Sequence, residues 1–357
     1  MWYCTDRFAK RLLVMITHSY LPHQVTCLFS PFTGSLLSVE EKEGCLKNGV
    51  YYGDILSKEE RPDAQYLAIF DQLSATLSHK LAQPVLQLAD HFHTTRPSDR
   101  PIVLLSLARA GTPIGVVVAD ILRNRFGREV HHYSVSVLHK YGLDAHAMEH
   151  VLAHHEAQDV VFLDGWVSQG RITRAVEESA PRWNVSPMLY CVSDPSGFQN
   201  AVATREDILL PSAVLNANVS GLLSRTVYNP DGFHFSETYQ DFEDIDRTQA
   251  FITDMVNACN AQTVIAPRMV RPSSEQRVVA RAQVEEFCRV HATDDSNIKV
   301  GIGEVSRSLL RRIPTLVVVD PSAVDEAQHL LWLANQRNIE LRVQPLNGPF
   351  RAFSILS

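Results

Sequence analysis

The stretch VVFLDGWVSQGRIT, Val160 to Thr173, decides the fold. Its first four residues are apolar and valine-rich, the composition of a strand buried on both faces of a parallel sheet. Asp164 closes the run, a loop containing Gly165 and Gly170 follows, and the spacing predicts a helix from Ile172. Such a strand, acid and glycine loop aim backbone N–H groups at a phosphate while the acid receives ribose hydroxyls. A plain structural βα turn uses the same residue types, so the flanking segments decide between the two.

Upstream lies a second strand, glycine loop and helix start, LLSLARAGTPIG, Leu104 to Gly115. Short apolar runs predict four strands, Ile102 to Leu107, Val130 to Leu138, Asp159 to Leu163 and Met188 to Ser193. Crossover helices are expected over Pro113 to Phe126, Asp144 to His154 and Ile172 to Ala180. The order β-α-β-α-β-α-β, with right-handed crossovers, describes a doubly wound parallel sheet whose ligand loops share one edge. Before it, the apolar spacing of Tyr66 to His93 predicts a long helix kinked at Pro84. Residues 1 to about 60 have no βαβ pattern and form an N-terminal extension to an α/β domain over 61–235.

Beyond Asp246 a second pattern predicts a small αβα domain over 255–357. Its expected strands are Thr263 to Ala266, Val300, Leu316 to Val319 and Leu341 to Val343. Its expected helices are Gln276 to His291, Glu304 to Arg312 and Ser322 to Asn335. The length, 357 residues, suits two domains and an extension better than one core.

Val160 to Thr173 resembles the phosphoribosyltransferase fingerprint of four apolar residues, two acids, two apolar residues and a small hydroxyl-rich glycine loop. The resemblance implies that the ligand is phosphoribosyl pyrophosphate with Mg2+, that Asp164 binds the ribose hydroxyls and metal, and that Gly165, Ser168, Gln169, Gly170, Arg171 and Thr173 cradle the 5′-phosphate. Leu104 to Gly115 resembles the family's pyrophosphate loop, which implies that Ala110 and Gly111 admit the ligand and Arg109 offers its planar fork to phosphate oxygens. His132 to Leu143 corresponds to the family's mobile loop, where Lys140 or His139 would reach the pyrophosphate; Lys140-Tyr-Gly is equally the composition of a solvated turn. Two departures stand out: Gly165 replaces the second acid, and Gln169 and Ile172 occupy hydroxyl positions. The reaction implied is displacement of pyrophosphate from the anomeric carbon by a nucleobase-like acceptor.

The polar residues of 192 to 227 suggest a lid or acceptor pocket, with Arg205, Asp207, Asn216, Ser220 and Arg225 as candidates. Val300 to Arg312 resembles Pelota-type members of the kink-turn-binding ribosomal protein family, which implies binding of structured RNA through Gly303, Glu304, Arg307, Arg311 and Arg312. There an Asn-Glu pair reads bases, whereas Gly303 stands here in place of the Asn. Together with Ser19-Tyr-Leu-Pro, these segments resemble one bacterial family, the phosphoribosyltransferase–Pelota fusion of tellurite-resistance stress operons, also labelled cysteine protease StiP. A protease requires a thiolate near a histidine; Cys27 with His18 or His23, and Cys191 with a distant histidine, are the candidates. A third alternative is a non-catalytic ribose-phosphate sensor coupled to RNA.

The formal charge of −7 argues against coating nucleic acid by bulk attraction, so an RNA contact must be local. Six scattered cysteines without a C-x-x-C pair suit reduced cytoplasmic thiols. No apolar run approaches the roughly 20 residues of a membrane span.

Overall fold

The computed structural model describes residues 15–199, 201–265, 269 and 274–356. Helix α1 is Val39–Lys47 and α2 is the long Ala64–Thr95. Asp63 starts α2 by accepting the Tyr66 N–H at 2.8 Å, a cap worth about 1 kcal/mol. Pro84 does not divide the helix. Leu81, Ala82, Val85 and Leu86 around it are fully buried, and their packing offsets the roughly 3 kcal/mol a mid-helix proline costs.

Six strands form the large sheet: β1 Thr26–Cys27, β2 Ile102–Leu107, β3 Val130–Val135, β4 Val160–Trp166, β5 Leu189–Ser193 and β6 Ala201–Thr204. All pair in parallel, in the order β1-β3-β2-β4-β5-β6. The crossover helices are α3 Gly111–Asp120, α4 Ala145–Leu152 and α5 Arg171–Ser179. Successive residues of β2 enter opposite cores: Ile102 and Leu104 join the apolar cluster containing α2 and α3, while Val103, Leu105 and Leu107 join the one containing α4 and α5. Both faces are therefore covered, as the unbroken apolar strands require. Residues Val137–Leu138 leave the sheet to pair with Gly142–Leu143 in a short ribbon, with Lys140 at its tip.

Helix α6, Thr248–Asn260, packs on the same face as α2. The C-terminal half comprises α7 Ser274–His291, β7 Ile298–Val300, α8 Ile302–Arg311, β8 Pro314–Val319, α9 Gln328–Gln336, β9 Glu340–Val343 and β10 Ala352–Leu356. Its sheet runs β7-β10-β8-β9, with β10 antiparallel to both neighbours. The expected strand Thr263 to Ala266 is corrected: Thr263 to Ile265 are irregular, having no sheet neighbour in the described chain, and Ala266 lies outside the described residues. The same holds for Cys4 and most of the Leu12 to Ile16 run, which also lie outside them.

The halves share one core. Ile302, Val305 and Leu309 of α8 and Leu330 of α9 belong to the cluster that contains α2. Asp207 is the polar joint: its carboxylate accepts the N–H groups of Ile302 (3.1 Å) and Arg351 (2.8 Å). Burial pushes its pKa up to about 6, against those donors and the Arg351 charge. The acid expected at a lid thus caps α8 and ties the two halves together.

Candidate functional site

The loops after β2 and β4 meet at the carboxyl edge of the large sheet. A Cβ on Gly111, the first residue of α3, would lie 2.7 Å from the Leu163 carbonyl oxygen and 3.2 Å from Asp164 Oδ1. Only glycine permits this approach, so Gly111 is what lets the two loops converge. The Ala108–Arg109 peptide in the first loop is cis. Asp164 is buried, and its Oδ1 accepts the Gly165 N–H at 2.7 Å. Burial raises its pKa to about 7; the Gly165 bond and Arg307 oppose the rise, and Glu304 adds to it.

Beyond Asp164, Val167 donates its N–H to the Ser193 carbonyl at 3.1 Å, and the chain turns at Gly170, whose φ is +69°. A Cβ there would also meet Phe198 at 2.8 Å. Among the described residues no side chain caps α5, so its first N–H groups face the loop. Ser168 and Gln169 are half-buried and Arg171 is exposed, whereas Thr173 is buried and accepts Gln199 Nε2 at 2.5 Å. Gln169 donates to Asp295 of the C-terminal half at 3.0 Å. Ser168, Gln169 and Arg171 line a cleft of about 760 Å³ whose far wall is α7, with Arg277 and Arg281.

The other expected residues divide. Arg109 is buried and does not present its fork to the cleft: it forms an ion pair with Glu59 and donates to the Leu223 carbonyl at 2.5 Å. Desolvation lowers its pKa, and Glu59 counteracts this. Lys140 is exposed and lies over Tyr51 and Tyr141, 5.3 and 5.0 Å from their ring centroids. Arg205 pairs with Asp194 at 2.8 Å and Ser220 donates to the Asn216 carbonyl at 2.5 Å, both local to their loops. Asn216 and Arg225 instead contact two residues of a common site: Asn216 Oδ1 accepts from Arg311 at 2.9 Å, and Arg225 stacks 3.9 Å from the Tyr52 ring centroid.

That site is a second cleft, about 470 Å³, between the N-terminal extension, the start of α5 and α8. Tyr52, Arg171, Lys299, Arg307, Arg311 and Arg312 line it. Of the residues expected at an RNA face, Glu304, Arg307, Arg311 and Arg312 line this cleft, and Gly303 packs against Trp166. Arg307 covers the Trp166 ring at 5.2 Å and pairs with Glu304 at 3.6 Å, while Arg312 pairs with Glu43. A Cβ on Gly303 would lie 2.8 Å from the Trp166 ring, so packing explains the missing side chain there, whereas one on Gly165 would meet the movable end of Leu210 at 2.9 Å and the Ala110 carbonyl oxygen at 3.3 Å. Burial of Tyr52 would raise its pKa, but Arg225, Arg311, Lys42 and Arg307 outweigh burial and hold it down to about 7. Tyr52 and Lys299 were invisible in the sequence because no motif or spacing links them, and Trp166, although inside the decisive stretch, carried no signal of a role.

The sequence from 18 to 256 matches the family model described as tellurite-like stress resistance cysteine protease StiP. This chain belongs to the StiP family. Residues 278–357 match the PELOTA RNA-binding domain, so the StiP-family segment is followed by a Pelota-like domain. A protein named cysteine protease StiP from Acinetobacter baylyi is 31% identical over 95% of this chain and 93% of its own length. Among solved structures, the hypoxanthine phosphoribosyltransferase of Trypanosoma cruzi is 14% identical, with a TM-score of 0.26 over 35% of this chain and 69% of that one. Its complex with the product IMP gives 13% and 0.27, over 35% and 66%. These overlaps are too slight to bear on function; the fold assignment stands on strand order and the two loops.

Three of the described cysteines are deeply placed. Cys27, Cys191 and Cys259 are fully buried, and desolvation pushes each thiol pKa up. Among the described residues no hydrogen bond joins a cysteine to a histidine, including the expected pairs of Cys27 with His18 or His23. Cys45 and Cys288 are half-buried, and Cys288 lines the larger cleft. Among the described residues, no helix is long and apolar enough to cross a membrane.

Proposed function

We propose that this StiP-family protein binds a phosphorylated ribose of the phosphoribosyl pyrophosphate type and transfers its ribose 5-phosphate to a nucleobase-like acceptor. The observation that carries the proposal is the convergence of two glycine loops on Asp164, a buried carboxylate beside uncapped helix N–H groups. In this reading the ribose hydroxyls bond to Asp164, and the 5′-phosphate takes the N–H groups of Ser168 to Thr173. The acceptor's nitrogen lone pair forms the bond to the anomeric carbon as the carbon–oxygen bond breaks, its electrons leaving with pyrophosphate, which also takes up the proton that the nitrogen releases. Positive charge that develops on the ring is offset by the ionised Asp164. Lys140, on its ribbon tip, would close over the site and exclude water.

Among the described residues, no three His, Cys, Asp or Glu side chains converge as a resident metal site. One carboxylate nevertheless suits magnesium carried in by phosphates, because this ion takes one or two protein carboxylates and fills its shell from phosphate and water. Asp164 would hold it, and the cation would neutralise charge on the leaving group. Calorimetry with phosphoribosyl pyrophosphate and magnesium tests the proposal: wild type is expected to bind and Asp164→Asn to lose most of the affinity. Undetectable wild-type binding at millimolar ligand overturns it.

The relative's name favours a second reading, cysteine proteolysis. It requires a reactive thiol, and Cys288 in the larger cleft is the described cysteine best placed to meet a peptide. Peptide cleavage abolished by Cys288→Ala but untouched by Asp164→Asn would establish that reading over the transferase. RNA binding by the Pelota-like half is proposed alongside either chemistry, and a low-salt mobility shift with bulged RNA tests it.

A further inference from the structure

If ribose 5-phosphate lies along Asp164 and the loop at 168–173, the diphosphate end of the ligand needs its own cations. The residue expected to supply them, Arg109, is already neutralised by Glu59 in a buried ion pair. Using it would leave Glu59 buried without its partner, which costs several kcal/mol. The cleft of about 470 Å³ offers an alternative directly beside the phosphate loop. Arg171, the first residue of α5, lines both clefts, and the Trp166 ring under Arg307 is only two residues beyond Asp164.

The charge in this cleft is one-sided. Arg171, Lys299, Arg307, Arg311 and Arg312 line it against one carboxylate, Glu304. Some of that charge is spent: Arg312 on Glu43, and part of Arg307 on Glu304. Arg311 is different, because among the described residues its side chain has one hydrogen bond, to the neutral Asn216, and its Nε is buried without a partner. Ser308 Oγ, one turn away on the same wall, is likewise buried without a partner among the described residues. Two unpaired groups able to donate, set among guanidinium charges, suit a ligand made of acceptor oxygens. The helix N-terminus contributes nothing to this field, because Asp207 occupies it.

We infer that Arg307 and Arg311 of α8 hold the diphosphate end of the ligand, so that the Pelota-like half completes the ribose-phosphate site of the StiP-family half. Tyr52 stands opposite them, held by Arg225 stacked on its ring. The assignment rests on the ribose-phosphate reading above, and two separate probes distinguish failure of one from failure of the other.

The experiment titrates the full-length protein with inorganic pyrophosphate and, separately, with ribose 5-phosphate. Arg307→Gln and Arg311→Gln are expected to weaken pyrophosphate binding by about 10-fold or more, the worth of one charge-assisted hydrogen bond, and to leave ribose 5-phosphate within about twofold. Asp164→Asn is expected to show the opposite pattern. Arg311→Lys keeps the charge without the planar fork, serves if the glutamine variants misfold, and is expected to lose part of the pyrophosphate affinity. Ribose 5-phosphate binding with pyrophosphate binding absent, or unchanged in the α8 variants, overturns this inference alone. Pyrophosphate binding lost in those variants while ribose 5-phosphate never binds supports the cationic cleft and removes the ribose reading. A bulged RNA that displaces pyrophosphate and depends equally on both arginines would assign the cleft to RNA phosphates and overturn the inference.

Discussion

Replacing Asp164 by asparagine should stabilise the ligand-free protein at alkaline pH while removing its ligand. Folding buries this carboxyl and raises its pKa from the ordinary 3.8 to about 7. A carboxyl with a raised folded pKa contributes stability in full below its unfolded pKa, and that contribution is lost as pH rises through the folded value. At about 1.4 kcal/mol per decade of proton affinity, the loss between pH 4 and pH 8 amounts to about 4 kcal/mol from this group alone. Asparagine is nearly isosteric, does not ionise, and retains an oxygen to accept the Gly165 N–H that Asp164 Oδ1 takes at 2.7 Å. Urea denaturation of both proteins at intervals from pH 4 to pH 8 measures the difference, and comparing the pair cancels other titrating groups such as Asp207. The variant is expected to match wild type near pH 4 and to gain steadily through pH 7, by up to about 4 kcal/mol. A stability difference independent of pH would refute the reasoning, because Asp164 would then not be held protonated by burial.

Glu59→Gln should destabilise the protein by about 3–5 kcal/mol, since it leaves the Arg109 guanidinium buried without its counter-charge; chemical denaturation checks this. Gly170→Ala should cost about 1–3 kcal/mol, because its φ of +69° and its contact with Phe198 both exclude a Cβ, and a fall in urea midpoint reports it. Thiol labelling of the native protein should modify Cys45 and Cys288 well before Cys27, Cys191 or Cys259, and mass spectrometry of timed samples reads the order.

Most of the large sheet was legible in the sequence because buried parallel strands announce themselves as continuous apolar runs. Ile102 to Leu107 was read at its actual bounds, and β4 and β5 within a few residues. Edge strands escaped for the opposite reason: Thr26–Cys27 is two residues long and Ala201–Thr204 four, too short to show a period. In the C-terminal sheet, β10 was missed although it pairs with both β7 and β8 and Asn347-Gly348-Pro349 marks a turn before it, because Ala352 to Leu356 is short and does not alternate strictly.

The glycine loops of the site were readable because each is local in the chain. The cationic cleft was not, because its walls come from residues 52, 171, 299, 307 and 311, brought together only by the docking of α8. The four-residue spacing of Arg307 and Arg311 shows that they share a helix face. It does not show what that face meets. An open RNA surface was expected, whereas Asp207 and Trp166 draw α8 against the sheet edge.

The most direct test of the ribose-phosphate assignment is a crystal structure of the full-length protein grown with phosphoribosyl pyrophosphate and magnesium. The account predicts the ribose hydroxyls on the Asp164 carboxylate, the 5′-phosphate against the N–H groups of Ser168 to Thr173, and the diphosphate facing Arg307 and Arg311. A ligand ordered away from Asp164, or none at saturating concentration, would contradict it.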